Sequence, residues 1–384
     1  MSAKPLLFTP MDLRGVTLKN RVMISPMANY SAVDGVVNDW HLTHLGRFAI
    51  GGAGVVIAEA TAITRQGRIS NGCAGMWDDK HIEPWRRCAD FIRGQGAIPG
   101  IQLGHGGRKS SAQRAWEGNG PLSAENLANG DEEWETVSAT ADPVDETWKA
   151  PRALTAGDLQ DLTDAWVAAA ERSLMAGFDW LEIHNAHGYL VHQFLSPLSN
   201  TRNDAYGGDF EGRIRWPLEL AAALRETWPA DKPVSLRISA VDGDALGWQM
   251  PDSVEYAKRL KALGIDLICT SSGGLKGSAT NARVKRTYGY QVPYAAEVRA
   301  KADIMTIGVG LILDPQHAEQ LLQDGQCDIV AIGREAMVNP CWPQQAEVAL
   351  GRPMTEALDD WPEQYGWWLK HRERALAEIR SESG

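Results

Sequence analysis

Residues Trp180–Tyr206 read WLEIHNAHGYLVHQFLSPLSNTRNDAY, and this stretch joins a buried strand to an unusual cluster of polar side chains. WLEI has the apolar character of a strand, and His184, His187 and Tyr189 follow where the strand ends and a loop begins. Two imidazoles can hold a polarised carbonyl oxygen, and a neighbouring phenol can supply a proton. The stretch therefore predicts a strand end that carries acid–base chemistry.

Two plainer interpretations of these histidines stay open at this point. His184 and His187 could be a metal pair, although no third His, Cys or carboxylate stands at a convincing ligand spacing. They could also be structural histidines with satisfied hydrogen bonds, which is common for one histidine and less common for two that flank a strand end. We favour the acid–base interpretation and expect no metal.

Short apolar runs rich in β-forming residues alternate with longer helical patterns along the whole chain. These runs begin at Arg21, Gly54, Ile98, Trp180, Pro233, Asp266, Ile304 and Asp328. Continuous apolar runs are typical of strands that are buried on both faces, and several of the helical segments end in glycine. Eight strand–helix repeats predict one α/β domain, a single (β/α)8 TIM barrel over residues 1–384, rather than a doubly wound sheet. No GxGxxG motif follows a strand, which argues against a dinucleotide-binding Rossmann unit.

Three segments lie outside this alternation. LLFTPMDLRGVTLKN, before the first strand, predicts a β-hairpin that turns at Arg14–Gly15 and caps the bottom of the barrel. Residues 105–154, after the third strand, form a long excursion rich in Gly, Ser, Pro and acidic residues, and such connections are usually lids or mobile loops. Residues 355–384 form a tail in which Trp367 and Trp368 predict a subunit interface of a homodimer or higher homo-oligomer. The alternative is that these tryptophans pack on the chain's own barrel.

In a (β/α)8 barrel, the active site is built from the C-terminal ends of the strands. Polar or glycine residues stand at all eight predicted strand ends, which packing alone does not explain. In chain order they are Ser25, Pro26, Met27 and Ala28 with Tyr30 just beyond, Glu59–Ala60, Gln102, His184 with His187, Arg237, Ser271–Gly274, Gly308–Gly310 and Gly333–Arg334.

The glycines after strands seven and eight predict a phosphate site. Gly308 and Gly310 allow backbone N–H groups to approach a phosphate closely, as do Gly333 and the charged fork of Arg334 one strand later. For GVG alone, a tight turn before a helix is the simpler interpretation. The pair of glycine-rich strand ends favours phosphate.

Arg237 and Gln102 add a preference for a polar ring. A buried arginine needs an anionic or strongly accepting partner. Gln102 offers both a donor and an acceptor to a ring with alternating N–H and C=O edges. A phosphate, a ring edge and an arginine together suggest flavin mononucleotide (FMN), with Arg237 near its pyrimidine end.

Composition excludes several classes of protein. The 384 residues are 44% hydrophobic and 23% charged, as in soluble globular proteins, and the formal net charge of -11 argues against nucleic-acid or anionic-membrane partners. The start of the sequence has no apolar signal-peptide core, and no apolar run approaches the length of a membrane helix, so we expect neither. Five scattered cysteines without a CxxC pair are typical of reduced thiols in a cytoplasm.

With these residues in view, the chain resembles the old yellow enzyme family of flavin-dependent ene-reductases, and within it the branch often called thermophilic-like. The similarity covers nearly everything from LLFTPMDLRGVTLKNRVMISPM to QQAEVALG. The segments that carry it are SPM (Ser25–Met27), EATAITRQGR (Glu59–Arg68), IQLGHGGRK (Ile101–Lys109), HNAHGYLVHQFLSPLSNTRNDAYGG (His184–Gly208), GYQVPYA (Gly289–Ala295) and AIGREAMVNP (Ala331–Pro340). The fourth segment is the most specific of these.

The resemblance implies noncovalent FMN across the barrel mouth and a ping-pong reaction. NAD(P)H, as NADPH or NADH, would reduce the flavin, and an α,β-unsaturated carbonyl compound would then take the hydride at its β-carbon. Tyr189 would protonate the α-carbon, His184 and His187 would bind the substrate carbonyl, and Tyr30 would line the substrate pocket. The residues implied to contact the flavin ring are Ser25, Pro26, Met27, Ala28, Ala60, Gln102 and Arg237, and those implied to hold its phosphate are Gly308, Gly310, Gly333 and Arg334.

The chain departs from the pattern of this branch at two places. Ala28 stands where the branch usually carries a Cys near the flavin, and the tail segment around Trp367 and Trp368 lacks an Arg that often reaches a neighbouring active site. Three alternative functions stay open: a reductase of nitro compounds or nitrate esters, a flavin-free phosphate-binding lyase or isomerase barrel, and a non-catalytic flavin-binding protein. We do not favour a dienoyl-CoA-reductase-like enzyme, because such enzymes carry a cysteine cluster and a further nucleotide domain, and the five cysteines of this sequence are scattered.

Overall fold

A β-hairpin near the N-terminus covers one end of the barrel that the later strands form. The computed structural model describes residues 4–276 and 284–382. Strand β1 (Met11–Leu13) pairs antiparallel with β2 (Val16–Leu18), and Arg14 at the turn has a left-handed φ of 52°. Leu13 and Leu18 are buried against side chains that fill the inside of the barrel described next. The predicted hairpin, its turn and its capping position are confirmed.

Parallel strands follow and close into a barrel. In chain order the further strands are β3 (Val22–Ile24), β4 (Val55–Ala62), β5 (Ile98–Gly104), β6 (Val137–Ser138), β7 (Arg152–Ala153), β8 (Trp180–Asn185), β9 (Val234–Ser239), β10 (Leu267–Ser271), β11 (Met305–Val309) and β12 (Ile329–Ile332). All except β6 and β7 belong to the barrel, and β12 pairs with β3 to close it. Each barrel strand falls on one of the eight predicted apolar runs, although β4 continues two residues past the end of its run, so the predicted (β/α)8 fold is confirmed.

Helices cover the outside of the barrel. They are α1 (Asp39–Ile50), α2 (Ile82–Gly94), α3 (Ala124–Ala128), α4 (Ala156–Met175), α5 (Leu190–Leu195), α6 (Phe210–Thr227), α7 (Met250–Ala262), α8 (Val292–Ala302), α9 (Pro315–Gln323), α10 (Arg334–Val338), α11 (Trp342–Ala349), α12 (Met354–Ala357) and α13 (Glu363–Glu382). The start of α4 is set locally: the Thr155 hydroxyl accepts from the Asp158 amide, and the Asp158 carboxylate accepts from the Thr155 amide. Across the described residues, none of the helices combines the length and the apolar character that crossing a membrane requires.

Alternation along β8 decides which of its side chains enter the barrel. Successive side chains of a strand point to opposite faces, so Trp180, Glu182 and His184 share one face. Trp180 belongs to the buried cluster inside the barrel, which places Glu182 and His184 progressively closer to the C-terminal strand ends. Gly100 on β5 makes room for Ile57 and for the start of the Trp180 side chain, because a Cβ there would lie 2.2 Å from Cδ1 of Ile57 and 3.2 Å from Cβ of Trp180. The same face of one strand thus provides both core and site residues.

The excursion at residues 105–154 carries its own short elements and bonds to the barrel. It contains α3 and the parallel pair of β6 and β7. Ser138 of β6 donates to Oε1 of Gln193 on α5 at 2.9 Å, and Trp134 donates from its indole to the carbonyl of Gln66 at 2.8 Å. The guanidinium of Arg68 stacks 4.5 Å from the Trp134 ring. These contacts fix the excursion over the C-terminal side of β5.

The C-terminal helix α13 presents two large aromatic side chains to solvent. Trp367 is 56% exposed and Trp368 is 69% exposed, and the two rings meet edge to face with centroids 4.6 Å apart. Packing against the chain's own barrel would have buried them, so the structure does not support that alternative. Exposed paired tryptophans on a terminal helix remain an expected subunit interface.

We expect the protein to be a homo-oligomer. We expect truncation after Glu363 to lower the molar mass of the particle in solution by at least the mass of one subunit. The physical reason is that truncation removes the exposed tryptophan pair. Light scattering coupled to size exclusion measures the molar mass of both. The double substitution Trp367→Ser and Trp368→Ser should have the same effect, whereas Trp116→Ser, at a tryptophan that is 66% exposed elsewhere, should not. An unchanged mass after truncation would contradict the predicted interface.

Candidate active site

A cavity of about 650 Å³ lies at the C-terminal ends of the barrel strands. This size is in the range of small-molecule and cofactor sites. Its walls bring together residues from strand ends that are far apart in the sequence, as the (β/α)8 fold predicts. The predicted site residues that line it are Ser25, Pro26, Met27, Ala28, Tyr30, His187, Arg237, Gly310, Gly333 and Arg334.

His184, His187 and Tyr189 form a compact cluster between this cavity and a smaller one. The ring centroids of His184 and His187 are 5.0 Å apart, and those of His184 and Tyr189 are also 5.0 Å apart. The smaller cavity, about 10 Å³, is lined by His184, Tyr189 and the predicted residue Ala60. The three predicted acid–base residues therefore do meet, although His187 alone among them borders the large cavity.

Hydrogen bonds order the two imidazoles. Nδ1 of His184 accepts from the Ala186 amide at 3.2 Å, so the proton of a neutral His184 ring is on Nε2. That Nε2 lies 3.3 Å from Nδ1 of His187, and Nε2 of His187 lies 2.7 Å from the hydroxyl of Ser271. Each ring can therefore donate through Nε2, one towards its neighbour and the other towards Ser271.

Burial keeps the imidazoles neutral and the phenol protonated. Burial, with a smaller contribution from the Arg237 charge, lowers the pKa of His184 to about 3. Burial and the neighbouring His184 lower the pKa of His187 well below its ordinary value. Burial also raises the pKa of Tyr189 above its ordinary value. At neutral pH the cluster therefore offers neutral N–H donors and an intact phenol O–H.

Lys109 belongs to this cluster, and the sequence reasoning did not single it out. Its Nζ donates to the carbonyl oxygen of His187 at 2.9 Å and to that of Gly274, and it lies 5.6 Å from the centroid of the Tyr189 ring. Burial, and then the charge of Arg108, lower the pKa of Lys109 to about 7. The segment IQLGHGGRK was recognised as a whole, but nothing in its spacing shows that its last residue reaches across to β8.

Arg237 brings an incompletely satisfied charge to the cavity wall. Its side chain is 9% exposed, and its Nε has no hydrogen-bond partner among the described residues. The nearby carboxylate of Glu182 accepts from Nε2 of Gln102 at 2.8 Å. Burial raises the pKa of Glu182, and the Arg237 charge opposes that rise. Gln102 is outside the lining of the large cavity, and its hydrogen bond stabilises Glu182, the counter-charge of Arg237.

Three of the four residues predicted to hold a phosphate border the large cavity. Gly310, with a φ of 121°, borders the cavity, and so does Gly333, where a Cβ would lie 3.6 Å from the Met27 sulfur. Arg334 is exposed at the same edge. Gly308 faces the other way, because a Cβ there would lie 2.8 Å from Sγ of Cys327, on the outer side of β11. Its glycine identity is explained by packing against Cys327, without a ligand.

Tyr30 stands at the rim where the excursion approaches the cavity. Its backbone is left-handed with a φ of 49°, and its ring meets Trp116 of the excursion edge to face at 5.8 Å between centroids. Buried carboxylate Glu59 accepts from the Asn29 amide at 3.0 Å and so holds the loop before Tyr30. The sequence analysis does not predict Trp116 as a neighbour of Tyr30, because it lies 86 positions further along the chain.

The donor set of the site suits a polar organic ligand. Besides Nε of Arg237, the hydroxyl of Ser25 is buried at the cavity without a hydrogen-bond partner in the described part of the chain. Buried polar atoms of native proteins are usually satisfied, so both atoms point to a ligand with acceptor groups. Within residues 4–276 and 284–382, no three His, Cys, Asp or Glu side chains are grouped as metal ligands.

Comparisons with known proteins agree with this geometry. The NADH:flavin oxidoreductase / NADH oxidase family matches residues 6–352. A relative named NADPH dehydrogenase, from Geobacillus sp. (strain WCH70), is 41% identical over 355 residues, which are 92% of this chain and 97% of the relative.

Solved structures show the same architecture. A 2-naphthoyl-CoA reductase superposes with a TM-score of 0.79 and 25% identity over 91% of this chain and 52% of that one, so this chain spans about half its length. A morphinone reductase superposes with a TM-score of 0.73 and 25% identity over 91% of both chains.

Buried neutral histidines should make stability depend on pH. In the unfolded chain an imidazole takes up a proton near pH ~6.5, whereas burial lowers the pKa of His184 to about 3 in the folded protein. The unfolded chain then binds more protons between these values, so the free energy of unfolding rises with pH through this window and levels off above it. Burial has the same effect at His105, whose pKa is lowered to about 3.

We expect His184→Gln to flatten the rise in unfolding free energy between pH 5 and 6.5 by about 1.1 kcal/mol per pH unit. Denaturant titrations at several pH values measure it. Equal slopes for wild type and His184→Gln would show that His184 is not held neutral.

Proposed function

The chain belongs to the NADH:flavin oxidoreductase / NADH oxidase family, and we propose that it is an FMN-dependent ene-reductase that reduces α,β-unsaturated carbonyl compounds with NAD(P)H. The resemblance to the old yellow enzyme family drawn from the sequence is confirmed at the family level. One observation carries the finer proposal: two neutral imidazoles, His184 and His187, and an intact phenol, Tyr189, meet beside a cavity of about 650 Å³.

The residues around the cavity fit FMN. Acceptor atoms of a flavin ring would satisfy Nε of Arg237 and the hydroxyl of Ser25, which have no partner among the described residues. Gly310 and Gly333 allow close approach of the backbone to a phosphate, and Arg334 would add a charged fork. When bound, FMN would accept a hydride from NAD(P)H and deliver it to the β-carbon of the substrate. The name of the Geobacillus relative supports NADPH as the reductant.

His184 and His187 would hold the carbonyl oxygen of the substrate. Hydride arrival at the β-carbon places negative charge on that oxygen, and N–H donors fixed in a dry site stabilise such charge. The donors are already oriented, because the Ala186 amide fixes the tautomer of His184 and the Ser239 hydroxyl accepts from the His187 amide at 2.9 Å. The substrate oxygen would replace both present partners of these donors, His187 for Nε2 of His184 and Ser271 for Nε2 of His187.

Tyr189 would donate to the α-carbon the proton that completes the reduction. Its raised pKa keeps the phenol protonated at neutral pH until a strong base, the enolate, forms beside it. The phenol lies at the edge of the small cavity with Ala60, away from the predicted phosphate end. Hydride and proton would therefore reach the alkene from different sides of the site.

Family membership argues against a flavin-free lyase or isomerase. Reduction of nitro compounds or nitrate esters would use the same donors, since nitro oxygens accept hydrogen bonds as carbonyl oxygens do. Those substrates need no proton at carbon, so a dependence on Tyr189 favours the ene-reductase. A panel of enones, maleimides and nitro compounds against the reduced protein ranks the two activities.

We expect the purified protein to be yellow and to release about one FMN per chain on acid precipitation. Chromatography of the supernatant identifies the flavin, and FAD or a colourless protein would contradict the proposal. Arg334→Ala should weaken FMN retention about 10-fold or more, since hydrogen bonds to a charged partner contribute about 1.5–3 kcal/mol. Arg374→Ala, on α13, is the control and should retain FMN as the wild type does.

We expect Tyr189→Phe to leave reduction by NADPH intact and to slow reoxidation by cyclohexenone on the order of 10²-fold, because the proton donor is lost. Stopped-flow absorbance separates the two half-reactions. Tyr294→Phe, at a tyrosine of α8 outside the cavity wall, is the control and should behave as wild type. A reoxidation rate equal to that of wild type would remove Tyr189 from this role.

A further inference from the structure

Gly188 lies between His187 and Tyr189, and both its N–H and its C=O are hydrogen-bonded to side chains. Its N–H donates to Nδ1 of His192 at 2.8 Å, and its carbonyl accepts from Nε2 of Gln193 at 2.7 Å. The backbone is left-handed at Gly188, with a φ of 72°, and also at His187, with a φ of 62°. A non-glycine residue in this region is uncommon and needs support from its surroundings. The conformation that aims both functional side chains thus depends on these two hydrogen bonds.

The bond to the Gly188 amide fixes the protonation of the His192 ring. An N–H donates to Nδ1, so Nδ1 carries a lone pair and the ring proton is on Nε2. Nε2 lies 2.9 Å from Oδ1 of Asp242, and neither atom has any other polar partner among the described residues. His192 is fully buried. Asp242 is therefore the group that keeps the proton on the far side of the ring from Gly188.

Asp242 is itself fixed by two donors. Its Oδ2 accepts from the hydroxyl of Ser196 at 2.6 Å and from the amide of Trp248 at 2.7 Å. Burial alone would raise the pKa of Asp242, but hydrogen bonds from His192, Ser196 and the Trp248 amide hold it below its ordinary value. The carboxylate is thus kept charged and oriented behind His192, outside the cavity wall.

We propose that Asp242 and His192 are positioning residues that act through the Gly188 amide to hold His187 and Tyr189 in their working orientation. The inference rests on the proposed function for its kinetic consequence, but its structural part does not. Neither residue lines the cavity described above, so neither is expected to touch substrate or cofactor. In catalytic triads a carboxylate orients a histidine that contacts the substrate. Here the carboxylate of Asp242 orients a histidine that contacts the backbone between the two functional residues.

Asp242→Asn tests this because it keeps the shape and reverses one hydrogen bond. If the new NH2 faces His192, the ring must move its proton to Nδ1, where it would oppose the N–H of Gly188. If the NH2 instead takes the place of Oδ2, it opposes the Trp248 amide. One pair of donors therefore conflicts in either rotamer, and the support of the Gly188 peptide is lost or strained.

We expect Asp242→Asn to slow reoxidation of the NADPH-reduced protein by cyclohexenone about 10-fold. In a Tyr189→Phe background the same substitution should slow that rate by a clearly smaller factor, about 3-fold, since only His187 is then left to misplace. An equal factor in both backgrounds, or an unchanged rate in the single variant, would overturn the inference. Asp266→Asn is the matched control, because Asp266 also binds a backbone amide, that of Val234 at 2.9 Å, but lies at the other end of the barrel.

Two further measurements keep the result interpretable. If Asp242→Asn does not fold, Ser196→Ala removes one hydrogen bond of Asp242 and should give a smaller slowing, about 3-fold, that again shrinks without the Tyr189 phenol. Nitrogen-15 NMR of histidine-labelled wild type should show His192, assigned by the loss of its signals in His192→Asn, with its proton on Nε2. A proton on Nδ1 would overturn the inference. Because this readout needs no activity, it separates failure of the inference from a wild type that does not reduce enones.

Discussion

Closure of eight parallel strands into a barrel is the constraint on which the site depends. A closed barrel has an inside, and alternation along each strand sends every second side chain into it. On β8 this places Trp180 in the core and His184 at the mouth, with Glu182 between them. The register of β8 with β9 sets His184 directly beside Arg237, so the charge that Glu182 balances lies next to the functional imidazole.

Burial then determines the chemistry of the side chains. A dry environment disfavours charge, which lowers the pKa of the imidazoles and raises that of the phenol. The cationic neighbours Arg237 and Lys109 lower the pKa of His187 further. The outcome is a set of neutral donors beside a cavity whose wall retains unpartnered polar atoms. This combination suits binding of an oxygen that becomes negative during the reaction and is hard to explain as a structural arrangement alone.

The sequence predicted the barrel because periodic apolar runs and the positions of helix-ending glycines depend on local physics. Most of the predicted site residues also border the large cavity, since the strand-end rule converts a position on a strand into a place in the fold. Two predicted residues lie outside the walls of both cavities: a Cβ at Gly308 would face Cys327, and Gln102 donates to Glu182. Their expected contacts with the flavin stay predictions. Lys109 and Asp242 were missed because their contacts, with the His187 carbonyl and with the His192 ring, join segments whose approach no local pattern encodes. His192 lies only four residues after Gly188, but nothing in that spacing shows that its ring accepts from the Gly188 amide.

The central claim is that hydride and proton reach the two alkene carbons by separate routes. The most direct measurement is the position of deuterium in the product of cyclohexenone reduction, read by NMR in two parallel reactions. With NADPH that carries deuterium at its transferable position, in ordinary water, the account predicts label at the β-carbon. With ordinary NADPH in deuterated water, it predicts label at the α-carbon. Absence of saturated product, or cofactor-derived label at the α-carbon, would contradict the account.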